Sequence, residues 1–340
     1  MPPYAAQVQA PAPAELDDAR VANAVAAGWG VEAGGLRYLA VGGGGYHWRL
    51  AAAGGSSLFV TVDDLDSKDW LGDDRAAVEH GLTASLATAW WLRDTARVSF
   101  VMAPLPTLDG VPLVRLGDRF AMSVVPYVEG RSNPFGPYSD PALRRRVLDM
   151  LIEMHRVTPR IGTPDHARPR VGARCHLDTF LRDPEEIWDS GPFGEPAREL
   201  LAPRVEQIAE RLESFDDVCA SLPTHHTVVT HGEPHAGNVM TVGAGEVMID
   251  WDTVGVAVPE RDLWFVVEDA ADIEHYAAAT GHRPNATALA VYRTRWQFDD
   301  LASIVKLLRS PHSDGDGSGR WLGALAPLIE TIIDAPGRRD

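Results

Sequence analysis

The pattern of apolar and polar residues predicts strands in the first part of the chain. Between residues 36 and 62, the short apolar runs "LRYLAV", "YHWRLAA" and "LFVTV" are separated by glycine-rich turns, which is typical of hairpins. The segment "RAAVEHGLTASLATAWWL" follows with Leu82 and Leu86 at helical spacing, and "VSFVMAP" and "RFAMSVVPYV" indicate two more strands. The pattern therefore predicts a small, mostly antiparallel region with one helix.

The pattern changes after "VEGRSNPFGPYSD", a segment rich in turn-forming residues. Asp140 and Pro141 suit the N-cap and first position of a helix. The apolar stripe of this helix is Leu143, Val147, Leu151 and Met154. The runs "RVEQIAERLESF" and "NATALAVYRTRWQFDDLASIVKLLRS" predict further helices. Only "HTVVTH" and "EVMIDWD" interrupt the helices, and we interpret them as one small hairpin.

Length and composition restrict the class of protein. A chain of 340 residues exceeds the usual size of one compact domain, so we expect two lobes that share a cleft. No apolar run approaches the roughly 20 residues that span a bilayer, and "MPPYAAQVQAPAPAE" has neither the basic start nor the apolar segment of a signal peptide. We expect a soluble, cytoplasmic protein that begins with a disordered Pro/Ala-rich tail. Cys175 and Cys219 are too few for a disulfide framework.

The net charge of −17 argues against a nucleic-acid partner, because phosphate binding needs clustered Lys and Arg. It would attract a cationic small molecule. A surface that merely keeps the protein soluble explains the same charge equally well.

The stretch "VVTHGEPHAGNV" gathers polar groups directly after an apolar strand. On an extended strand, His231, Glu233 and His235 would face one side and could hold zinc or iron, although Pro234 and Gly232 favour a loop instead. A purely structural polar turn is a second interpretation. A third is a phosphoryl-transfer loop.

The phosphoryl-transfer interpretation explains more residues. Kinase catalytic loops follow the pattern H-R-D-x-x-x-x-N, in which the carboxylate lies near the attacking hydroxyl and the Asn binds Mg²⁺. His231, Glu233 and Asn238 keep this spacing. The segment "VMIDWD" supplies the second carboxylate that such a site needs, Asp250, with Asp252 beside it.

The segments "HGEPHAGN" and "IDWDTVGVAVPERDLW" resemble the aminoglycoside phosphotransferase family of small-molecule kinases, whose signature is H-G-D-x-H-x-x-N followed by an I-D-W/F segment. The resemblance implies an α+β, bilobal, protein-kinase-like fold, with a small antiparallel β-sheet lobe carrying a helix and a larger, mainly helical C-terminal lobe. It divides the chain into a tail (1–15), a nucleotide-binding lobe (16–125), a hinge (126–130) and a catalytic and substrate lobe (131–340).

The resemblance also assigns roles. Glu233 takes the position of the catalytic carboxylate, in the motif that His231 begins. Asn238 and Asp250 take the positions of the Mg²⁺ ligands, with Asp252 adjacent. Asp262 of "ERDLW" takes a position that holds the conformation of the C-terminal lobe.

Further roles fall on the nucleotide-binding lobe and the hinge. The glycine run between two strands lets backbone N–H groups approach phosphates, although an ordinary hairpin turn has the same composition. The predicted glycines are Gly43, Gly44 and Gly45. Phe59 is expected to stack on the base. At the hinge, the Pro126 carbonyl and the Val128 amide are expected to bind the purine of ATP or GTP.

Two positions depart from the family pattern. Thr61 stands where the family has the Lys that grips the α- and β-phosphates, and Glu79 matches the position that normally pairs with that Lys. Lys68 and Arg49 are candidates to replace it. Glu233 stands where the family has Asp, and its longer side chain can still accept a hydrogen bond from the acceptor hydroxyl.

These observations predict a Mg²⁺-dependent kinase that transfers the γ-phosphoryl group of ATP or GTP to a hydroxyl of a small cationic molecule, such as an aminoglycoside or related antibiotic. In the family, C-terminal acidic residues bind ammonium groups of antibiotics, whereas a solvated helix face is the alternative interpretation. The candidates are Glu268, Asp269, Asp272, Asp299 and Asp300. A catalytically impaired nucleotide-binding homologue remains the alternative function, because of Thr61 and Glu233.

Overall fold

The computed structural model describes residues 12–43, 45–314 and 317–334. These residues form two compact units. The first unit contains residues 12–166 and 226–284, and the second contains residues 167–225 and 285–334. Most of the predicted tail, residues 1–11, lies outside the described residues.

The described strands form three antiparallel sheets, all in the first unit. A five-stranded sheet has the order β1-β2-β3-β5-β4, a three-stranded sheet has the order β6-β8-β9, and β7 pairs with β10. The strands are β1 (Ala33–Leu39), β2 (Tyr46–Ala52), β3 (Ser57–Asp64), β4 (Val114–Leu116), β5 (Phe120–Pro126), β6 (Arg131–Ser132), β7 (Val228–Thr230), β8 (Val239–Val242), β9 (Gly245–Met248) and β10 (Gly255–Ala257).

The described helices account for most of the remaining structure. They are α1 (Asp18–Trp29), α2 (Arg75–Asp94), α3 (Pro141–His155), α4 (Arg174–Arg182), α5 (Gly194–Leu201), α6 (Val205–Ser221), α7 (Glu260–Leu263), α8 (Ala270–Thr280), α9 (Ala286–Arg309) and α10 (Gly319–Asp334). None of these helices is long and apolar enough to cross a bilayer. The α+β class and the small antiparallel sheet with a helix are confirmed.

Strand β3 shows how the sheet separates its core from its functional face. Leu58, Val60 and Val62 are buried against α1 and the neighbouring strands, whereas Phe59 and Thr61 alternate with them and are half-buried. Because successive side chains of a strand point to opposite faces, Phe59, Thr61 and Asp63 share the face away from this core. The alternation of side chains along β3 thus places Phe59, Thr61 and Asp63 in a row on one face of the sheet.

Two predictions about strands are wrong. The segment "VSFVMAP" forms no strand: Met102 N donates to Met248 O (2.9 Å) and Met248 N donates to Phe100 O (2.7 Å), so this segment runs beside β9 and not within the five-stranded sheet. The strands at "HTVVTH" and "EVMIDWD" do not form one hairpin, because β7 pairs with β10 and β9 pairs with β8. Local pattern identifies strands better than it identifies their partners.

The second unit is helical, as the periodic segments predict. Its core is built around α9, where Phe298, Leu301 and Val305 are fully buried. Phe298 packs against Phe215 of α6 with ring centroids 5.7 Å apart. Each such buried side chain contributes about 1.5–3 kcal/mol.

Helix α3 begins as predicted, and it also buries a charge. Asp140 caps the helix by accepting from Ala142 N (2.8 Å), and the four residues of the predicted stripe are buried. Arg144 lies beside them and contacts the buried carboxylate of Asp272 while donating to Val266 O (2.5 Å). Burial raises the pKa of Asp272, but the hydrogen bonds from Arg144 and from the backbone of Glu268 outweigh it and lower the pKa below its usual value.

Replacing Asp272 should therefore destabilise the first unit. In Asp272→Asn the guanidinium of Arg144 stays buried and keeps only the exposed carboxylate of Glu268 as a counter-charge, so we expect a loss of about 3 kcal/mol in the free energy of unfolding at neutral pH. The loss is measured by urea denaturation. Because the contacts lower the pKa of Asp272, the stability that they provide should disappear as pH falls through that lowered value.

Glu274→Gln is the matched control on the same helix, because Glu274 pairs with Arg283 at the surface (2.7 Å). We expect its unfolding midpoint to stay close to that of the unmodified protein. Equal shifts in both variants would contradict the structural role of Asp272.

Candidate functional site

The loop that follows β7 is held by one buried carboxylate. Asp262 accepts hydrogen bonds from His231 N (2.8 Å) and Gly232 N (2.7 Å), and its Oδ2 lies 3.1 Å from His155 Nε2 at the end of α3. Burial would raise the pKa of Asp262, but the hydrogen bond and charge of His155 and the charge of Arg261 outweigh it and lower the pKa. Asp262 is thus an ionised anchor for the start of the loop.

Gly232 is required by the turn that this anchor fixes. Its φ is +100°, and an added Cβ would lie 2.5 Å from the guanidinium of Arg261. Arg261 in turn donates to Thr230 Oγ1 (2.7 Å) and to Thr253 O (2.8 Å). Only glycine combines this backbone conformation with such close packing.

His231 lies inside the protein and organises the loop. Its Nε2 is 2.9 Å from the carbonyl of Ile249, so Nε2 carries the proton, and Nδ1 accepts from Glu233 N (3.3 Å). Burial lowers its pKa and keeps the ring neutral. Trp251 packs on this ring with centroids 4.5 Å apart. These contacts join the Glu233 turn to the segment after β9, while a catalytic role for His231 stays a prediction.

Glu233 and Asn238 occupy the two ends of the loop. Asn238 Nδ2 donates to the carbonyl of Glu233 (3.0 Å), which leaves the amide oxygen as the remaining ligand atom of this side chain. Ile249 N donates to the carbonyl of Asn238 (3.0 Å), so the loop end and the Asp250 segment are held together. The Glu233 side chain is half-buried. Tyr138 fixes the middle of the loop by donating to Pro234 O (2.6 Å).

Asp250 adopts a backbone conformation that is rare for a residue with a side chain. Its φ is +65°, which costs about 1–3 kcal/mol and persists only where the surroundings impose it. Ile249 is bonded to Asn238 on one side, and buried Trp251 donates Nε1 to Met248 O (2.9 Å) on the other. The strained residue is therefore clamped between two fixed neighbours.

Asp250 lies near three other carboxylates, those of Asp63, Glu233 and Asp252. Desolvation and the charges of Asp252 and Glu233 raise the pKa of Asp250 well above its usual value. Lys68 is the cation within this cluster, with Nζ 2.6 Å from Asp252 and 3.0 Å from Asp63.

The site fits a magnesium ion held jointly with phosphates. An amide oxygen from Asn238 and carboxylates from Asp250 and Asp252 are oxygen ligands of the type that Mg²⁺ prefers, and repulsion between the acids favours a cation there. Among the described residues, no group of three or more His, Cys, Asp or Glu side chains could hold a metal alone. The His231, Glu233 and His235 cage is therefore not formed, since His231 bonds to backbone instead.

Three residues predicted to contact the nucleotide lie on β3 or on the turn before β2: Gly45, Phe59 and Thr61. Gly45 is buried, and an added Cβ would lie 3.0 Å from Asp63 Oδ1 and 3.1 Å from Val62 O. Phe59 stacks on His47 with centroids 5.0 Å apart, and His47 Nδ1 is 3.2 Å from Thr61 Oγ1. Burial and the charge of Lys68 lower the pKa of His47 to about 4.

Gly43 is exposed, and Gly44 lies outside the described residues. The Pro126 ring is exposed at the end of β5, and Val128 is half-buried in the segment that leads to β6. These nucleotide contacts and the lobe boundaries stay predictions.

The remaining charged candidates of this region have protein partners. Glu79 Oε2 lies 3.3 Å from Arg115, and Arg49 lies 3.1 Å from Glu129 and over the ring of Tyr127. Neither forms the Lys–Glu pair that the family pattern would place here.

The acidic residues proposed for the acceptor are dispersed. Asp269 caps α8 by accepting from Asp272 N (3.0 Å), and Glu268 contacts Arg144 at 3.3 Å. Asp299 lies in the second unit, where it accepts from Gly172 N (2.6 Å) and pairs with Arg295. Asp300 lies on the same helix, α9. Their acceptor-binding roles stay predictions.

Sequence reasoning missed Asp63, His47 and Arg261. The burial alternation of β3 could have placed Asp63 on the same face as Thr61, but nothing local indicates that it meets Lys68 and the Asp252 segment.

Comparisons with known proteins agree with this geometry. The model of the phosphotransferase enzyme family matches residues 85–300. No curated protein gives a significant sequence match. Among solved structures, a spectinomycin phosphotransferase in complex with ADP and spectinomycin shares 16% identity, with a TM-score of 0.69 over 94% of this chain and 98% of that chain.

Two further structures resemble the chain over their whole length. An amicoumacin kinase in complex with AMP-PNP and Ca²⁺ shares 14% identity, with a TM-score of 0.57 over 95% of each chain. A microcompartment-associated aminopropanol kinase shares 16% identity, with a TM-score of 0.57 over 93% of this chain and 96% of that chain. At these identities the structures establish the fold. The family match covers more than half of the chain, including the loop after β7 and the Asp250 segment, so the chain belongs to the phosphotransferase enzyme family.

Proposed function

We propose that the protein transfers the γ-phosphoryl group of ATP or GTP, with Mg²⁺, directly to a hydroxyl of a small cationic molecule such as an aminoglycoside or related antibiotic. The observation that carries this proposal is the bond from Ile249 N to Asn238 O. It holds the backbone of Asn238, which lies on the same loop as Glu233, against the residue that precedes Asp250. Two oxygen ligands and one further carboxylate are the groups that phosphoryl transfer requires.

Each residue then has a separate task. Glu233 accepts a hydrogen bond from the acceptor hydroxyl and directs its oxygen at the γ-phosphorus. Asn238 and Asp250 would hold the magnesium ion, with Asp252 beside them. When bound, Mg²⁺ neutralises charge on the β- and γ-phosphates. His231 keeps the loop in place through its bonds to Ile249 and Glu233, so we assign it to positioning rather than to proton transfer.

Several observations support the finer assignments. The structural relatives are named as complexes with ADP or AMP-PNP, which favours an adenine nucleotide. One relative is named as a kinase of aminopropanol, an amino alcohol, and the net charge of −17 would attract such a cation. Spectinomycin and amicoumacin as bound molecules suggest antibiotic resistance as a role.

The first prediction of this proposal concerns turnover. Purified protein with Mg-ATP or Mg-GTP should phosphorylate at least one compound in a panel of aminoglycosides, aminocyclitols and amino alcohols, detected as nucleoside diphosphate release and as a product 80 Da heavier. Tight Mg-ADP binding without turnover across the panel would favour the impaired nucleotide-binding homologue, for which Thr61 in place of Lys is the supporting observation.

The second prediction concerns the metal ligands. Asn238→Ala and Asp250→Ala should each lower kcat/KM by roughly 10²–10³-fold, because each removes several kcal/mol of charge stabilisation. The apparent Mg²⁺ requirement, measured at saturating nucleotide, should rise in both. Glu274→Gln, a surface acid on α8, serves as the control with ordinary kinetics. Retained activity in either ligand variant would refute the assignment.

The third prediction separates Glu233 from metal binding. Glu233→Gln should reduce kcat by roughly 10²–10⁴-fold while the dissociation constant of Mg-ADP changes little, because the carboxylate acts on the acceptor. Single-turnover rates and calorimetric nucleotide titration give the two quantities. If nucleotide affinity fell as far as kcat, Glu233 would instead belong to the metal site.

A further inference from the structure

Lys68 is the most unusual charged side chain in the first unit. The chain contains two lysines, Lys68 and Lys306, and Lys306 lies in the second unit. Lys68 is only 2% exposed, in the turn that follows β3. Its ammonium group joins two segments far apart in sequence. Asp63 is the second-last residue of β3, and Asp252, 184 residues from Lys68, lies two residues after Asp250.

The side chains near Thr61 do not supply the positive charge that β3 lacks at this position. The hydroxyl of Thr61 is 3.2 Å from His47, which stays neutral. Arg49 is held by Glu129 and Tyr127, and Glu79 is held by Arg115. Among the described residues that contact the Asp250 to Asp252 segment, Lys68 supplies the ammonium.

The position of Lys68 indicates how it acts. Its Nζ donates to two carboxylates and is shielded from solvent, so it is bound to protein and not presented to a ligand. Asp252 lies two residues from Asp250, whose positive φ must be imposed by its neighbours. Trp251 holds this segment through Met248, and Lys68 holds it from the opposite chain segment. A buried ion pair of this kind specifies one arrangement more than it adds stability.

We propose that Lys68 is a positioning residue that ties Asp252 to β3 through Asp63, and so holds Asp250 in the conformation that binds the metal. It replaces the strand lysine by fixing the metal segment and does not contact the phosphates. This inference rests on the proposed kinase function for its consequence, but the tie itself is a property of the protein without ligands.

The first test uses the protein without nucleotide or metal. Brief acylation of amines, followed by peptide mass spectrometry, should modify Lys306 at least tenfold faster than Lys68 (an order-of-magnitude expectation from burial of the ammonium). Asp252→Asn should increase the reactivity of Lys68 and leave Lys306 unchanged. Equal reactivity of the two lysines in the native protein would overturn the tie, whatever the function of the protein.

The second test measures coupling. Lys68→Met, Asp252→Asn and the double variant are compared by urea denaturation in EDTA, with Lys306→Met as the matched control. The double variant should lose less stability than the two single losses added together, because each single change breaks the same contact. Strict additivity would contradict the proposal. The acylation result stands even if Lys68→Met fails to fold.

The third test asks whether Lys68 acts through the metal segment or on phosphate. In Lys68→Met, Mn²⁺ affinity in the presence of ADP should fall by roughly 10–100-fold, because residues that orient metal ligands typically have effects of this size. Lys68→Arg should recover part of the lost affinity. ADP affinity in EDTA should stay within about twofold of the unmodified protein, since no metal ligand is involved in that state.

Two outcomes would overturn this role. Equal losses of ADP affinity with and without Mn²⁺ would make Lys68 a phosphate ligand. If Lys68→Met bound Mn²⁺ more tightly, the substitution would have acted only by removing a positive charge that repels the metal ion. If the enzyme had no kinase activity, these binding experiments would still decide the role of Lys68.

Discussion

The arrangement of the site depends on one buried carboxylate. Asp262 accepts from two consecutive backbone N–H groups of the loop and lies 3.1 Å from the imidazole of His155. A carboxylate without solvent can remain charged only where such donors surround it. Because the donors come from the loop and from α3, ionisation of Asp262 forces both segments into one geometry. The positions of Glu233 and Asn238 follow from that constraint, since both lie further along the same short loop.

A second constraint is the excess of negative charge beside the loop. Carboxylates at Asp63, Glu233, Asp250 and Asp252 repel one another, and this repulsion adds to burial in raising the pKa of Asp250. Such crowding does not stabilise a fold, so it needs a cation to offset it. One cation belongs to the protein itself: the ammonium of Lys68 pairs with Asp63 of β3 and with Asp252. The remaining negative charge suits the metal ion that we propose.

The sequence predicts the elements of this fold better than their pairing. The strand at "LFVTV" and the capped start of α3 at Asp140 are predicted from local features, and the structure confirms both. The spacing of His231, Glu233 and Asn238 in the loop after β7 is also local, so these residue types could be recognised directly. The pairing of β7 with β10 and the contact between Lys68 and Asp252 depend on chain segments far apart in sequence. No periodicity carries that information, and the resemblance gives no guide where Thr61 replaces its lysine.

The two departures from the family pattern differ in how far they can be compensated. Electrostatic interactions extend over several ångströms, so the ammonium of Lys68 can act on the Asp252 segment from the turn that follows β3, although Thr61 leaves the strand itself without a lysine. A hydrogen bond to an acceptor hydroxyl tolerates only a few tenths of an ångström. The extra methylene of Glu233, about 1.5 Å, must therefore be accommodated within the loop or by the acceptor itself. Tyr138 and Asp262 fix the backbone on both sides of Glu233, which leaves the acceptor as the component that can adjust. Under the proposed function, the length of this side chain bears on acceptor choice, whereas the lysine exchange bears on the geometry of the metal segment.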